Sequence, residues 1–362
     1  MATKKRARIA GLDGLRVLAL VGVLLYHMFP KMVPGGFFGV VLFFVISGYL
    51  AGVSGVREYR AGKFSILQYY KKRLVRIYPA LIAVMLVSIG ALTLIDVNRM
   101  ANIPSEVLSV LLGYNNYWQL KMNASYFTNL TNTSMFTHFW YVAILIQFEV
   151  LWPLLLSGYG WVRKNKGVGS AILGFFVLTV ILYLVMPVSC LFTKEPNITA
   201  LYYGTTTRVF SLTGGAFLGI LHGEGVRMQF PYRTSRFLGY LLTAAFIAVS
   251  VLLYIKGNGT AKGTYLYGMA LYTLFCVLTV DCVTEPRNGI GKVLDVPPMS
   301  WISAYSYEIY LWQYPVLFLT GIVMGKGNPY VMYAVQAVLI VLLSVWLHFF
   351  TAQISRMLLP KK

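Results

Sequence analysis

A chain of 362 residues that is 58% hydrophobic and 12% charged, with mean hydropathy +0.68, carries about half the charge usual in a soluble domain. Its apolar residues fall in blocks of roughly twenty, the length that crosses a hydrocarbon core, which excludes a soluble globular domain and argues against the short alternating strands of a β-barrel. The formal charge of +20 would suit nucleic acid, but Lys and Arg lie in short loops between the blocks, where they set topology; no nucleic-acid partner is expected.

The N-terminus, MATKKRARIAGLDGLRVLALVGVLLYHMF, is basic and then apolar like a signal peptide. It lacks a small-residue cleavage site, and its apolar run contains Arg16 and ends at His27, so it is read as a retained first helix. Apolar blocks near 9–28, 36–55, 78–96, 138–158, 169–189, 207–222, 237–256, 265–283, 299–324 and 329–355 predict an all-α integral membrane protein of about ten transmembrane helices. Basic residues cluster at every second loop: Lys4 to Arg8, Arg57 to Arg76, Arg163–Lys166, Arg227–Arg236, Arg287–Lys292 and Lys361–Lys362. By the positive-inside rule both termini are cytoplasmic, in a multi-pass protein of the cell membrane. Trp118, Trp140, Trp161 and Trp301, near span ends, suit interfacial belts. Cys190, Cys276 and Cys282 show no metal or redox spacing, and neither a disulfide framework nor a metal is expected.

The two longest outside segments are 97–137 and 190–206. The first contains LLGYNNYWQLKMNASYFTNLTNTSM, aromatic and amide-rich, a composition that suits either sugars or a packed loop. Asn123, Asn129, Asn132, Asn197 and Asn258 form glycosylation acceptor patterns, which such loops also produce by chance. The chain shows no internal repeat.

An ionisable residue inside a span costs several kcal/mol unless it is paired or faces water. The first span carries two, Arg16 and His27. Eleven residues make almost three turns, so the pair lies about 20° off one face and roughly 16 Å apart along the axis. One helix face thus presents a cation near one membrane surface and an imidazole near the other. Singly, Arg16 reads as a snorkelling side chain and His27 as an interfacial one; as a pair they read as function.

Further residues carry a specific resemblance. GLDGLRVLALVGVLLYH, with Arg16 and His27, is followed by GGFFGVVLFFVISGYL at 35–50, KRLVRIYPA at 72–80 and HFWYVAILIQFEVLWPLL at 138–155. YYGTTTR at 202–208 and SYEIYLWQYP at 306–315 complete the set, in order and over most of the chain. The sequence resembles the acyltransferase-3 family, integral membrane proteins that acylate cell-surface sugars and lipids, and within it the membrane part of peptidoglycan O-acetyltransferases. Those usually add one more span and an outside SGNH-hydrolase-like domain. Neither is in this sequence, so it is read as a single domain, 1–362, either stand-alone or cut after the tenth span. Departures from the pattern remove acidic groups: Val41 stands for an aspartate, Leu145 or Ile146 for a glutamate, Thr206 for the aspartate of TDTR, and Gln313 for the histidine of YLWH. The remaining carboxylates are Glu149, one turn from Leu145, Glu308 and Asp13.

The resemblance implies O-acyl transfer, acetyl in the first instance, from a cytoplasmic acyl-CoA to a hydroxyl of a cell-envelope saccharide, directly or by way of a separate outside SGNH-type transferase. Lys72, Arg73 and Arg76 would hold the co-substrate's phosphates. Arg16 would stabilise charge near the thioester, His27 would act as general base, and Glu149 would supply a carboxylate to the catalytic set. Trp140, Arg208 and Gln313 would contact the acceptor. His138 opens its motif with no role assigned, and His222 and His348 are assigned none. The chemistry needs an oxyanion stabiliser, which the sequence does not name. The competing class is a transporter of a polar or acylated solute, for which buried charges are equally typical; the chain shows no paired inverted repeat.

Overall fold

The computed structural model describes residues 9–122, 127, 134–192, 194, 196–325 and 327–359, and among these the chain is helical with no strand. Ten long helices occur in chain order: α1 (Leu12–Met28), α2 (Phe38–Arg60), α3 (Ile66–Ile95), α4 (Trp140–Lys166), α5 (Val168–Leu191), α6 (Thr205–Glu224), α7 (Arg236–Lys256), α8 (Met269–Val283), α9 (Ser306–Met324) and α10 (Pro329–Leu358). Among the described residues seven helices are long and apolar enough to cross a membrane: α2, α3, α4, α5, α7, α8 and α10, with short turns before α4 and α8 included. The molecule is a multi-pass α-helical membrane protein.

The three other expected spans coincide with α1, α6 and α9, which stay below those limits. The reason is burial by protein. α1 has only 17 residues, and most of α6 is shielded on all sides by α2, α5 and α8. A helix screened from lipid by its neighbours needs no continuous apolar girdle and can carry polar groups.

Neighbouring helices alternate in direction. A single turn at Gly167, whose φ of 88° is open to glycine at little cost, reverses the chain between α4 and α5. Side-chain caps from Ser65, Ser235 and Asn328 start α3, α7 and α10. The basic loops gather where α1 begins, here termed the basic end: Gly11 and Asp13 donate their amides to Asp295 at 2.7 and 3.1 Å, and Arg163 and Arg60 converge on Glu224 at 2.7 and 3.7 Å. The N-terminal residues 1–8, Lys326 and Lys361–Lys362 lie outside the described residues, as do Asn123, Asn129 and Asn132.

The tightest seam joins α2 to α6. Gly48 and Gly52 face Leu212 and Ala216, and Gly215 and Gly219 face Val45 and Tyr49, each so close that an added Cβ would fall on a backbone carbonyl oxygen. Small residues four apart let two helices touch backbone to backbone, which substitutes for the missing hydrophobic drive inside a bilayer. This seam fixes the wall against which α1, α4 and α9 place the polar residues.

At the far end, segment 97–137 folds over the bundle through helices Ile103–Leu111 and Asn115–Lys121. Asn115, Asn116 and Gln119 are fully buried, Gln119 donates to Glu106 at 2.9 Å, and Asn116 donates to the Tyr203 carbonyl at 2.9 Å. For these amides the packed-loop reading holds. Asn197 and Asn258 cap local turns through Ala200 and Thr260, which accounts for their place in Asn-x-Thr patterns. Of the tryptophans, Trp161 and Trp301 are exposed as a belt requires, but Trp140 is fully enclosed. The three cysteines are buried and unpaired as disulfides.

Candidate functional site

α1 turns Arg16 and His27 into the bundle. At the basic end Arg16 lies 3.7 Å from Asp13, whose carboxylate is held by the hydroxyls of Ser300 and Ser303 at 2.9 and 2.8 Å. Arg76 of α3, Tyr141 of α4 and Asp295 stand within electrostatic range of the same guanidinium. Arg76 in turn faces Arg73, Glu149, Tyr307 and Glu308. Groups from α1, α4 and α9 therefore surround Arg76, yet its side chain is exposed, and Arg16 and Tyr307 are partly so. These groups thus form a recess of partly uncovered charge at the basic end.

The three expected phosphate ligands are not equivalent. Lys72 is exposed and 3.4 Å from Glu58, a contact that solvent weakens. Arg73 pairs with Glu149 at 2.9 Å, and Tyr69 donates to the same carboxylate. Arg76 makes no ion pair among the described residues and shares the recess with Arg16.

Glu149 departs from expectation. Its carboxylate belongs to the basic-end cluster with Arg73 and Tyr69 and cannot orient His27. It lies eleven residues along α4 from His138, roughly 16 Å of helix. Glu308 accepts a hydrogen bond from His348 Nδ1 at 3.0 Å, so His348 is not incidental. Nor is His222, which bridges Tyr49 at 3.0 Å and Asp281 at 2.7 Å inside a buried network completed by Tyr232, Arg233 and Glu285. Both histidines tie helices together through carboxylates, a partnership visible only once α2, α6 and α8, or α9 and α10, are packed.

Toward the far end a second cluster forms around Tyr314 of α9. The His27 ring meets Tyr314 edge-on at 5.1 Å, and His138 stacks on it at 5.4 Å with 25° between planes. Gln313 faces the His27 imidazole. His138 is fully buried; its Nε2 lies 3.1 Å from the Leu311 carbonyl, and its Nδ1 has no partner among the described residues. A carbonyl only accepts, so Nε2 carries the proton. Tyr310 donates to the backbone carbonyl of His138 at 2.6 Å and packs against Tyr141 at 5.1 Å. The sequence motifs HFWY and SYEIYLWQYP contained His138, Tyr141, Tyr310 and Tyr314; that their rings form one contact series depends on the packing of α4 on α9, which no spacing reports.

Trp140 and Arg208 come together, but not at the surface. Arg208 is 1% exposed and lies over the rings of Tyr202, Trp140 and Phe44 at 5.1, 5.7 and 5.9 Å. The expected position at span ends is right, the interfacial setting is not: aromatic stacking on all sides draws the guanidinium inward. This cage backs the far-end cluster through Tyr202, which faces both Arg208 and Tyr26.

The chain is 28% identical over 341 residues to the protein named "Putative peptidoglycan O-acetyltransferase YrhL" of Bacillus subtilis (strain 168), covering 93% of this chain and 53% of that protein. It is 26% identical over 337 residues to the peptidoglycan O-acetyltransferase OatA of Listeria monocytogenes, with 92% and 53% covered. The chain thus spans about half the length of the curated relatives it matches. No solved structure matches it. The family model described as an acyltransferase domain matches residues 9–352, a range that takes in both clusters and all ten helices but for the end of α10, and the chain belongs to the acyltransferase-3 family.

Proposed function

We propose that this chain is a membrane O-acyltransferase that carries an acyl group, acetyl in the first instance, from a cytoplasmic acyl-CoA to a hydroxyl of an extracytoplasmic cell-envelope saccharide, directly or through a separate outside transferase. The observation that carries the reading is that α1 alone presents Arg16 to the basic-end cluster and His27 to the far-end cluster. The basic end is cytoplasmic on the positive-inside rule, and both termini with it. There Arg76, with Lys72 at the rim, suits the phosphates of an acyl-CoA, whose nucleotide head stays inside, and Arg16 guides the acyl-bearing arm on its way to His27. Arg73 is occupied by Glu149 and serves as a brace. His27 is the general base for the acceptor hydroxyl, and Gln313, buried against it, orients the imidazole and does not touch the acceptor. Trp140 and Arg208 support this site from behind through Tyr202. The relatives' printed names, both peptidoglycan O-acetyltransferases, favour a cell-wall saccharide as the acceptor.

The test uses purified chain in lipid vesicles with acetyl-CoA on one side and an N-acetylglucosamine oligosaccharide on the other. Wild type is expected to release CoA thiol and form sugar ester, and His27→Ala and Arg16→Ala to lose at least a hundred-fold in both. Thiol release without sugar ester identifies a relay that needs an outside transferase. Failure of the wild type to bind or cleave any acyl-CoA sinks the reading, and solute flux independent of thioester would replace it with a transporter.

A further inference from the structure

We infer that Tyr314 is a further catalytic residue, the hydrogen-bond donor to the oxyanion that forms during acyl transfer at His27. The inference rests on the acyltransferase reading and supplies the group that chemistry requires. When the acceptor oxygen adds to the thioester carbonyl, a C–O bond forms and the carbonyl π pair moves onto oxygen. The hydroxyl proton passes to the His27 imidazole. Collapse of the intermediate breaks the C–S bond, and the imidazolium returns its proton to the thiolate, which departs as thiol. Between the two steps the carbonyl oxygen carries a full negative charge, and a donor must already be aimed at it.

The groups near His27 narrow to one. Gln313 is fully buried, Trp312 and Tyr26 are 2% exposed, and Arg208 is closed in its aromatic cage. Tyr314 keeps part of its surface open, as does His27, and their rings meet at 5.1 Å. The Tyr314 ring is held on its other face by His138, itself pinned through Nε2 to the Leu311 carbonyl at 3.1 Å. A phenol clamped between two imidazoles loses little freedom when it donates, which is what preorganisation requires. Among the described residues no carbonyl or carboxylate accepts from its hydroxyl. The partner within reach is Thr137, which donates its own proton to the Ser134 carbonyl at 3.0 Å and so accepts from Tyr314, and a neutral hydroxyl acceptor is readily exchanged for a charged oxyanion.

Tyr314→Phe removes one oxygen and leaves the ring between His27 and His138. With the full chain in vesicles, acetyl-CoA as donor and an N-acetylglucosamine oligosaccharide as acceptor, Tyr314→Phe is expected to lower kcat about a hundred-fold while KM for each substrate stays within about three-fold. Replacing Tyr314 by 3-fluorotyrosine, a more acidic phenol of nearly the same size, should return kcat to at least the wild-type level. An unchanged kcat in Tyr314→Phe overturns the assignment, and so does a loss carried in KM or matched by a fall in thermal stability, which would mark a packing role. If wild type itself turns over no acyl-CoA, the acyltransferase reading has failed and the role of Tyr314 falls with it; normal wild-type turnover with an active Tyr314→Phe enzyme fails this inference alone.

Discussion

At the level of single residues, Glu149 separates what spacing tells from what packing tells. Its position one turn from Leu145 suggested a carboxylate for the proposed base, His27, whereas α3 lies alongside α4 and delivers Arg73 and Tyr69 to it instead. The pair braces the recess where Arg76 stands exposed. Glu149→Gln keeps the shape and cancels the charge, so Arg73 loses its counter-ion. We expect thioester turnover to fall at least ten-fold in Glu149→Gln and in Glu149→Ala alike, with thermal stability in detergent lowered by about 2 kcal/mol. Full activity in Glu149→Gln would show that only packing matters there. Arg16 and His27 were legible from one helix because period and polarity suffice to place two residues on a face. Tyr314, His138 and Glu308 were not, because each acquires its partner from another helix.

For whole elements, the apolar blocks located the helices to within a few residues, since a run of about twenty apolar side chains admits few other structures in a membrane. What the pattern did not reveal is which helices face lipid. α6 reads as a span yet is walled in by α2 through glycines whose purpose appears only in the seam. The segment 97–137 was open between a sugar-binding and a packed loop, and its helix Ile103–Leu111 decides the matter locally by burying Glu106. Burial pushes the Glu106 carboxyl up to about 7, against hydrogen bonds from Ser134, Gln119 and Asn115 that favour the charged form. The folded loop therefore holds a proton that the unfolded chain, titrating near its ordinary carboxyl value, has already released. Stability from this group is full below the unfolded value and is lost as pH rises toward about 7, then levels. The unfolding midpoint is expected to fall between pH 5 and pH 7.5, and Glu106→Gln to flatten that slope; an equal slope in the variant would place the titration elsewhere.

For the molecule as a whole, alternating helix direction and the collection of basic loops at one end give the topology a direct test. The native cysteines are buried, so a single introduced thiol reports with little background. Arg76→Cys is expected to react with a membrane-impermeant maleimide only from the cytoplasmic side, and more slowly in the presence of CoA. Labelling from outside would invert the arrangement proposed for donor and acceptor.

The ring series from Tyr141 through Tyr310 and His138 to Tyr314 also bears on the cell's energy supply. A protein that works on substrates at both faces of a charged membrane risks becoming a leak, because any continuous file of water would let protons and small cations run down their gradients. Here the ground between the arginines and His27 is occupied by touching aromatic rings. A donor arm that reaches His27 has to thread among these rings, which leaves little room beside it for a hydrated ion. The host can therefore keep many copies at work without discharging the voltage across its envelope.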